Sequence, residues 1–268
     1  MSSPIVKSFA ALRPKPEVAA QVASVPYDVV NRPEAKALVE GKPLSFLRVG
    51  RSEVTLDESV DPYAPEVYAK AKENLQSLID GGHLVTEDTP ALYLYRLTWK
   101  GRSQFGVVGA YSVQAYRDSR IKKHEKTRAA KEDDRTNHIV TTRAQTGPVF
   151  LVHRPTDEIA GLRKQLLDSG QAPLFDFTAE DSVEHTVWKI DNPESWESAL
   201  DAAGDFYIAD GHHRGSLLKV QAAIGETSLQ TGDWVKVMRA GNELQLMGKL
   251  APSAESSVSR ALAQHLPW

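Results

Sequence analysis

The chain has 268 residues, 32 Lys+Arg against 35 Asp+Glu, a formal charge of -3 and no cysteine. That balance excludes a global field drawing in nucleic acid or an anionic membrane. The missing thiols exclude disulfides, thiolate metal centres and cysteine nucleophiles. At 41% hydrophobic and 25% charged residues, the composition fits a folded protein with a sizeable core, not a disordered or collagen-like chain. The start, MSSPIVKSFAALRPKPEVAA, lacks an apolar segment of signal-peptide length, and no later run approaches about 18 apolar residues. The expectation is a soluble, cytoplasmic protein that makes no membrane contact.

Six prolines, from Pro4 to Pro43, punctuate the first fifty residues and predict short elements and turns. One helix fits Arg32 to Glu40, with Asn31 as cap, Pro33 in the first turn and Gly41 as stop. Leu44 to Val49 reads as a short strand. From Asp61 to Gly81, Val67, Ala71, Leu75, Leu78 and Ile79 share one helical face. Ala91 to Val113 then predicts a long hairpin turning at Lys100-Gly101-Arg102.

Arg117 to Arg135 holds eight Lys or Arg and few apolar residues, which predicts surface or site. Gln145 to His153 reads as a buried strand and Asp157 to Leu167 as a helix ending near Gly170. Val183 to Ile190 reads as an alternating strand, and Asn192 as the cap of a further helix with Pro193 at its first position. A short strand, Phe206 to Ala209, enters Asp210-Gly211-His212-His213-Arg214, followed by a helix that stops at Gly225. Trp234 to Met247 suggests a hairpin turning at Ala240-Gly241-Asn242, and Ser253 to His265 a terminal helix.

These elements predict an α+β fold, a mostly antiparallel mixed sheet with peripheral helices. The division is an N-terminal α+β region over 1–113, a core over 114–225 and a short C-terminal hairpin and helix over 226–268.

The turn at Asp210 to Arg214 carries the clearest chemistry. Gly211 lets backbone approach a ligand, amides opening the next helix can meet an anion, and Arg214 offers a planar fork matched to phosphate. His212 and His213 can donate to the same oxygens or move protons. Two other readings stay open: Asp210 as a plain helix cap with surface histidines, and metal ligation by the histidine pair. In IKKHEKTR at 121–128, Glu125 sits among cations that stabilise its charged form, as a general base requires. A solvated helix face or a DNA contact are the alternatives there. Tyr27 and Asp28 place polar tips either in a cleft or in an ordinary turn. Gln145-Thr146-Gly147-Pro148 reads as a turn or as a site wall. By strand parity His185 and Trp188 point oppositely, and Trp188 is read as core or as a ligand platform. No nucleophile elbow, Walker loop or dinucleotide fingerprint occurs.

Five motifs in order, VPYDVV at 25–30, LSFLRV at 44–49, IKKHEKTRAAKEDDR at 121–135, AQTGPVF at 144–150 and YIADGHHR at 207–214, resemble a bacterial family of formerly unknown function. That family is similar to the SerK-type free serine kinases, with a ParB/sulfiredoxin-like fold, and the resemblance spans residues 4 to 225. It implies a ParB/sulfiredoxin-like core and phosphoryl transfer to the hydroxyl of free L-serine, with pyrophosphate, ADP or ATP as donor and Mg²⁺ carried mainly by donor phosphates. Glu125 is then the general base, with Asp210, His212 and His213 as further catalytic residues. Gly211, His212, His213, Arg214, Lys123 and Arg128 bind phosphate, and Tyr27, Asp28, His124, Thr127 and Trp188 line the substrate. No protein metal cage is expected. Residues 226–268 are shorter than the family's continuation, which sets a kinase against a shortened relative that binds phosphate alone. A ParB-like nucleotide hydrolase or switch and a phospho-metabolite sensor are the alternatives. Donor, acceptor alcohol and oligomeric state, including a homodimer, are left open.

Overall fold

The computed structural model describes residues 4–123, 128–210, 234–236 and 248–249, the last two stretches as backbone only. In chain order, β1 (Val6–Lys7) and β2 (Leu12–Pro14) lead into α1 (Ala19–Val22), α2 (Arg32–Val39), α3 (Leu47–Gly50) and α4 (Pro65–Asp80). Next come β3 (Leu84–Thr86), β4 (Leu92–Trp99), β5 (Arg102–Val108), β6 (Ala110–Ser112), α5 (Val113–Arg117), β7 (Ile121–Lys122) and α6 (Ala129–Thr142). Then follow β8 (Ala144–Gln145), β9 (Phe150–His153), α7 (Asp157–Asp168), β10 (Phe175–Thr178), β11 (Glu184–Ile190), α8 (Glu194–Ala202) and β12 (Phe206–Asp210). β13 (Trp234–Lys236) and β14 (Gly248–Lys249) complete the described chain.

The architecture is α+β. The largest sheet runs β10-β11-β4-β5 and is antiparallel throughout. A second sheet, β7-β12-β9, is mixed, because β12 runs parallel to β7 and antiparallel to β9. A third places β6 between β1 and β13. The β4–β5 hairpin turns through Lys100 and Gly101, at φ 48° and 73°, the doubly left-handed turn whose twist matches that of paired strands. α2 opens on a capping box, with the Asn31 side chain accepting from the Glu34 amide and Glu34 answering on the Asn31 amide. α4 buries Val67, Ala71, Leu75 and Leu78, the predicted face.

The core lies on both faces of β4 and β11. Leu92, Leu94, Trp188 and Ile190 pack with Ile5, Trp196, Leu200 and Phe206 on one side. Tyr93, Tyr95 and Val187 pack with Phe9 and Phe175 on the other. The alternation expected for Val183 to Ile190 is therefore absent, since β11 is buried on successive residues, as happens when both faces of a strand are covered.

Other expectations are corrected locally. Leu44 to Val49 is not a strand: Leu47–Gly50 forms the helical turn α3, and Phe46, Leu47 and Val49 are buried. A six-residue stretch with four apolar residues suits either state, and packing of Phe46 and Val49 with Leu75 and Leu78 of α4 decides it. The strand expected over Gln145 to His153 is two strands, β8 and β9, interrupted at Thr146–Val149. α8 begins one residue late, with Pro193 at its cap position. Segments on both sides of the 113/114 division share a sheet, as β11 pairs with β4 from Glu184 to Ile190. β13 pairs with β6 and β14 with β8. The hairpin turn at Ala240 to Asn242 and the helices expected after Arg214 and over Ser253 to His265 lie outside the described residues.

Gly109 sits where the largest sheet meets β1. A Cβ there would stand 2.6 Å from Val6 Cγ2 and 2.7 Å from Leu92 Cδ2, both side chains being fully buried. Gly109→Ala is expected to destabilise the fold by about 1–3 kcal/mol through overpacking, read as a lower urea midpoint with an unchanged slope.

Candidate functional site

α6 supplies the site's central residues. Its inward stripe carries Asp134, Arg135, His138, Ile139 and Thr142, all buried. Arg135 donates to Asp134 Oδ2 through Nη2 at 2.8 Å and through Nε at 3.0 Å. Tyr68 of α4 donates its hydroxyl to Asp134 Oδ1 at 3.1 Å. Burial, then the Asp134 carboxylate, pushes the Tyr68 phenol up to about 12, so it remains a donor across the physiological range. Burial disfavours the Arg135 cation, yet Tyr27, Asp134 and Asp28 together hold its pKa above the ordinary value. The Arg135 guanidinium lies 4.1 Å from the centre of the Tyr27 ring, a cation–π contact strengthened by desolvation.

Tyr27 is held from behind. Arg51 donates through Nη1 to the Tyr27 carbonyl at 2.9 Å and to the Val30 carbonyl at 2.6 Å. Its Nε pairs with buried Glu53 at 2.6 Å. Gly50 lies beneath Tyr27, where an added Cβ would stand 3.4 Å from the Tyr27 Cβ. The loop 25–30 is thereby clamped against α3.

His138 joins α6 to two further motifs. Its Nε2 bonds the Val49 carbonyl at 3.0 Å. A carbonyl only accepts, so Nε2 carries the proton and Nδ1 receives the Thr146 hydroxyl at 3.4 Å. Arg143, at φ 54°, turns the chain from α6 into β8, and Gln145 Nε2 donates to the Gly147 carbonyl at 3.0 Å. Between these groups lies a pocket of about 20 Å³, lined among others by Ser24, Tyr27, Arg135, His138 and Thr146. That space holds one water-sized group.

The described strands that flank the two charged motifs lie side by side in one sheet. β7 and β12 are parallel, with Tyr207 opposite Lys122, so the chain entering 123–127 and the chain leaving at Asp210 depart from the same end of the sheet. β9 begins at that end, with Phe150 opposite Asp210. The register slips between Ile208 and Asp210, an irregularity of the kind that re-aims a side chain at a strand end.

The expected site residues therefore divide into three groups. Tyr27 and Asp28 meet Arg135. Lys123 and Arg128 flank residues 124–127, with the Lys123 ammonium 5.7 Å from the Tyr116 ring centre and Arg128 at the cap of α6, and Asp210 ends β12. His124, Glu125, Thr127, Gly211, His212, His213 and Arg214 lie outside the described residues. Trp188 is placed elsewhere, 7% exposed in the main core, with the Arg96 guanidinium 5.2 Å from its ring centre. The wide indole fills the space between sheet and helix α8 and is no platform beside Tyr27.

Sequence reasoning missed Arg135 and His138. Their spacing of three on one helix was the available signal, masked by a run that looked too charged to be buried. His185 is also buried, stacked on Phe177 at 4.9 Å and bonded through Nδ1 to the Tyr95 hydroxyl. Burial lowers its pKa to about 4. Among the described residues no helix is long and apolar enough to cross a membrane, and no group of three or more His, Asp or Glu gathers as a metal-binding set.

Fold and site define an α+β protein in which the 25–30 loop, α3 and the Thr146 turn gather around buried Arg135 and His138. The family model described as "Protein of unknown function (DUF1015)" matches residues 6–234, and the chain belongs to that family. No curated protein and no solved structure matches it.

Two outcomes are expected. Asp134→Asn removes the carboxylate paired with buried Arg135 and is expected to cost about 3–5 kcal/mol in chemical denaturation. For His185, the folded pKa lies below the unfolded value of 6.5, so its stabilisation is complete above that value and is lost as pH falls toward 4. His185→Gln should flatten that acid limb in urea melts recorded at stepped pH.

Proposed function

We propose that this chain transfers a phosphoryl group to the hydroxyl of free L-serine, giving O-phosphoserine, from pyrophosphate or a nucleoside di- or triphosphate. The supporting observation is convergence: loop 25–30, α3, α6 and the Thr146 turn surround one pocket, while the strands leading to the two charged motifs end together. A ParB/sulfiredoxin-like core belongs to the same reading and rests on the motif resemblance.

Phosphoryl transfer asks little covalent help from a protein and depends on placing acceptor, donor and positive charge. In this reading Glu125 takes the proton from the serine hydroxyl. The serine oxygen forms a bond to phosphorus as the bond to the leaving phosphate or nucleotide breaks. Lys123, Arg128, Arg214 and the Gly211 backbone receive the donor oxygens. Mg²⁺ would arrive on the donor and be held mainly by its phosphate oxygens and water, which neutralises charge there without a protein metal cage. Tyr27, fixed over Arg135, shapes the acceptor side, and His138 holds the Thr146 hydroxyl in one orientation.

The test is ³¹P NMR of L-serine and Mg²⁺ with each donor in turn. Phosphoserine should form with at least one, and Glu125→Gln should lower turnover by about 10²-fold or more while donor affinity changes little. No product with any donor, or a Gln variant with full turnover, overturns the reading. Donor binding without product would point instead to a sensor or nucleotide switch.

A further inference from the structure

α7 is a twelve-residue helix with no fully buried side chain. Its apolar residues Ile159, Leu162 and Leu166 reach the core only in part. Beneath it, against β5 and β9, runs a groove of about 330 Å³. This volume is within the usual range for small-molecule sites and, even at the roughly 30 Å³ that one water takes up in the liquid, has room for about ten water-sized groups.

The walls are mostly apolar, with a few polar groups among them. Phe105, Val107, Leu151, Ile159 and Phe206 provide an apolar length. Gln104 and Arg163 line the same space and bring polar groups to it. The Arg163 guanidinium lies 5.0 Å from the Phe105 ring centre, and among the described residues no carboxylate pairs with it. A half-buried, permanently charged fork with no carboxylate partner among the described residues complements an anion. The apolar walls gain by covering hydrocarbon.

We propose that this groove binds an amphipathic monocarboxylate of about ten non-hydrogen atoms, a medium-chain acyl anion, with its carboxylate on Arg163 and its chain along Phe105, Leu151 and Ile159. The site is separate from the pocket at Tyr27 and Arg135, sharing none of its lining residues. It stands whether or not the kinase reading holds.

The probe is octanoate, titrated calorimetrically into the full chain below its aggregation concentration. One saturable site per chain is expected. Octanol, which keeps the chain and lacks the charge, should bind at least tenfold more weakly. Arg163→Met should weaken octanoate at least tenfold, and Ile159→Trp, which fills the groove, should abolish binding. Since α7 buries no side chain completely, both variants should keep the wild-type circular dichroism. No saturable binding by the unmodified chain overturns the proposal. So does equal affinity for octanol, an unaffected Arg163→Met, or undiminished binding by a folded Ile159→Trp.

Discussion

A guanidinium cannot shed its proton to escape burial, so the fold around Arg135 has to supply its counter-charge. Asp134 provides it from the preceding residue, and Tyr68 takes up that carboxylate's other oxygen. Tyr27 then covers the cation's face. Through this set α6 is tied to α4 on one side and to the loop at 25–30 on the other. Such pairs owe little net stability to their Coulomb attraction, since desolvation offsets it. Their effect is on arrangement: a mispositioned helix would strand a charge, and few alternative packings satisfy it.

Positioning of this kind extends outward by backbone carbonyls. Arg51 binds two of them in the Tyr27 loop, and His138 binds that of Val49. Arg32 donates to the carbonyls of Glu53, Asp57, Glu58 and Val60, closing the loop that follows α3 against the start of α2. Irregular backbone in these loops has no strand ladder to satisfy its oxygens, and arginines perform that service. The same residue type thus serves both charge and scaffold here.

Much of the fold was legible in the sequence where local chemistry is strong. The Asn31 cap, the Lys100-Gly101 turn and the apolar stripe of α4 are written in neighbouring residues. LSFLRV was misread because its six residues carry no period long enough to separate strand from helix, and contacts from α4 settle the matter. The alternation assigned to β11 failed for another reason: coverage of both faces is a property of the assembled sheet. Around the pocket, Tyr27 stands out in the sequence by its motif, whereas His138 does not, because its partners, Val49 and Thr146, are distant or unremarkable in sequence. Trp188 illustrates the converse, an aromatic whose bulk serves packing.

The placement of β12 has a consequence for how the protein is made. β12 lies between β7 and β9, yet it leaves the ribosome after both. Until Phe206 to Asp210 are synthesised, the two older strands have no shared neighbour, and their edge amides and carbonyls await a partner. The wedge that joins them also brings the chain to Asp210. The pairings at this end of the sheet therefore depend on the last strand made, with a long loop closed for each. An interrupted translation product would have the α6 pocket's sequence complete while the strand that unites the charged motifs was still missing.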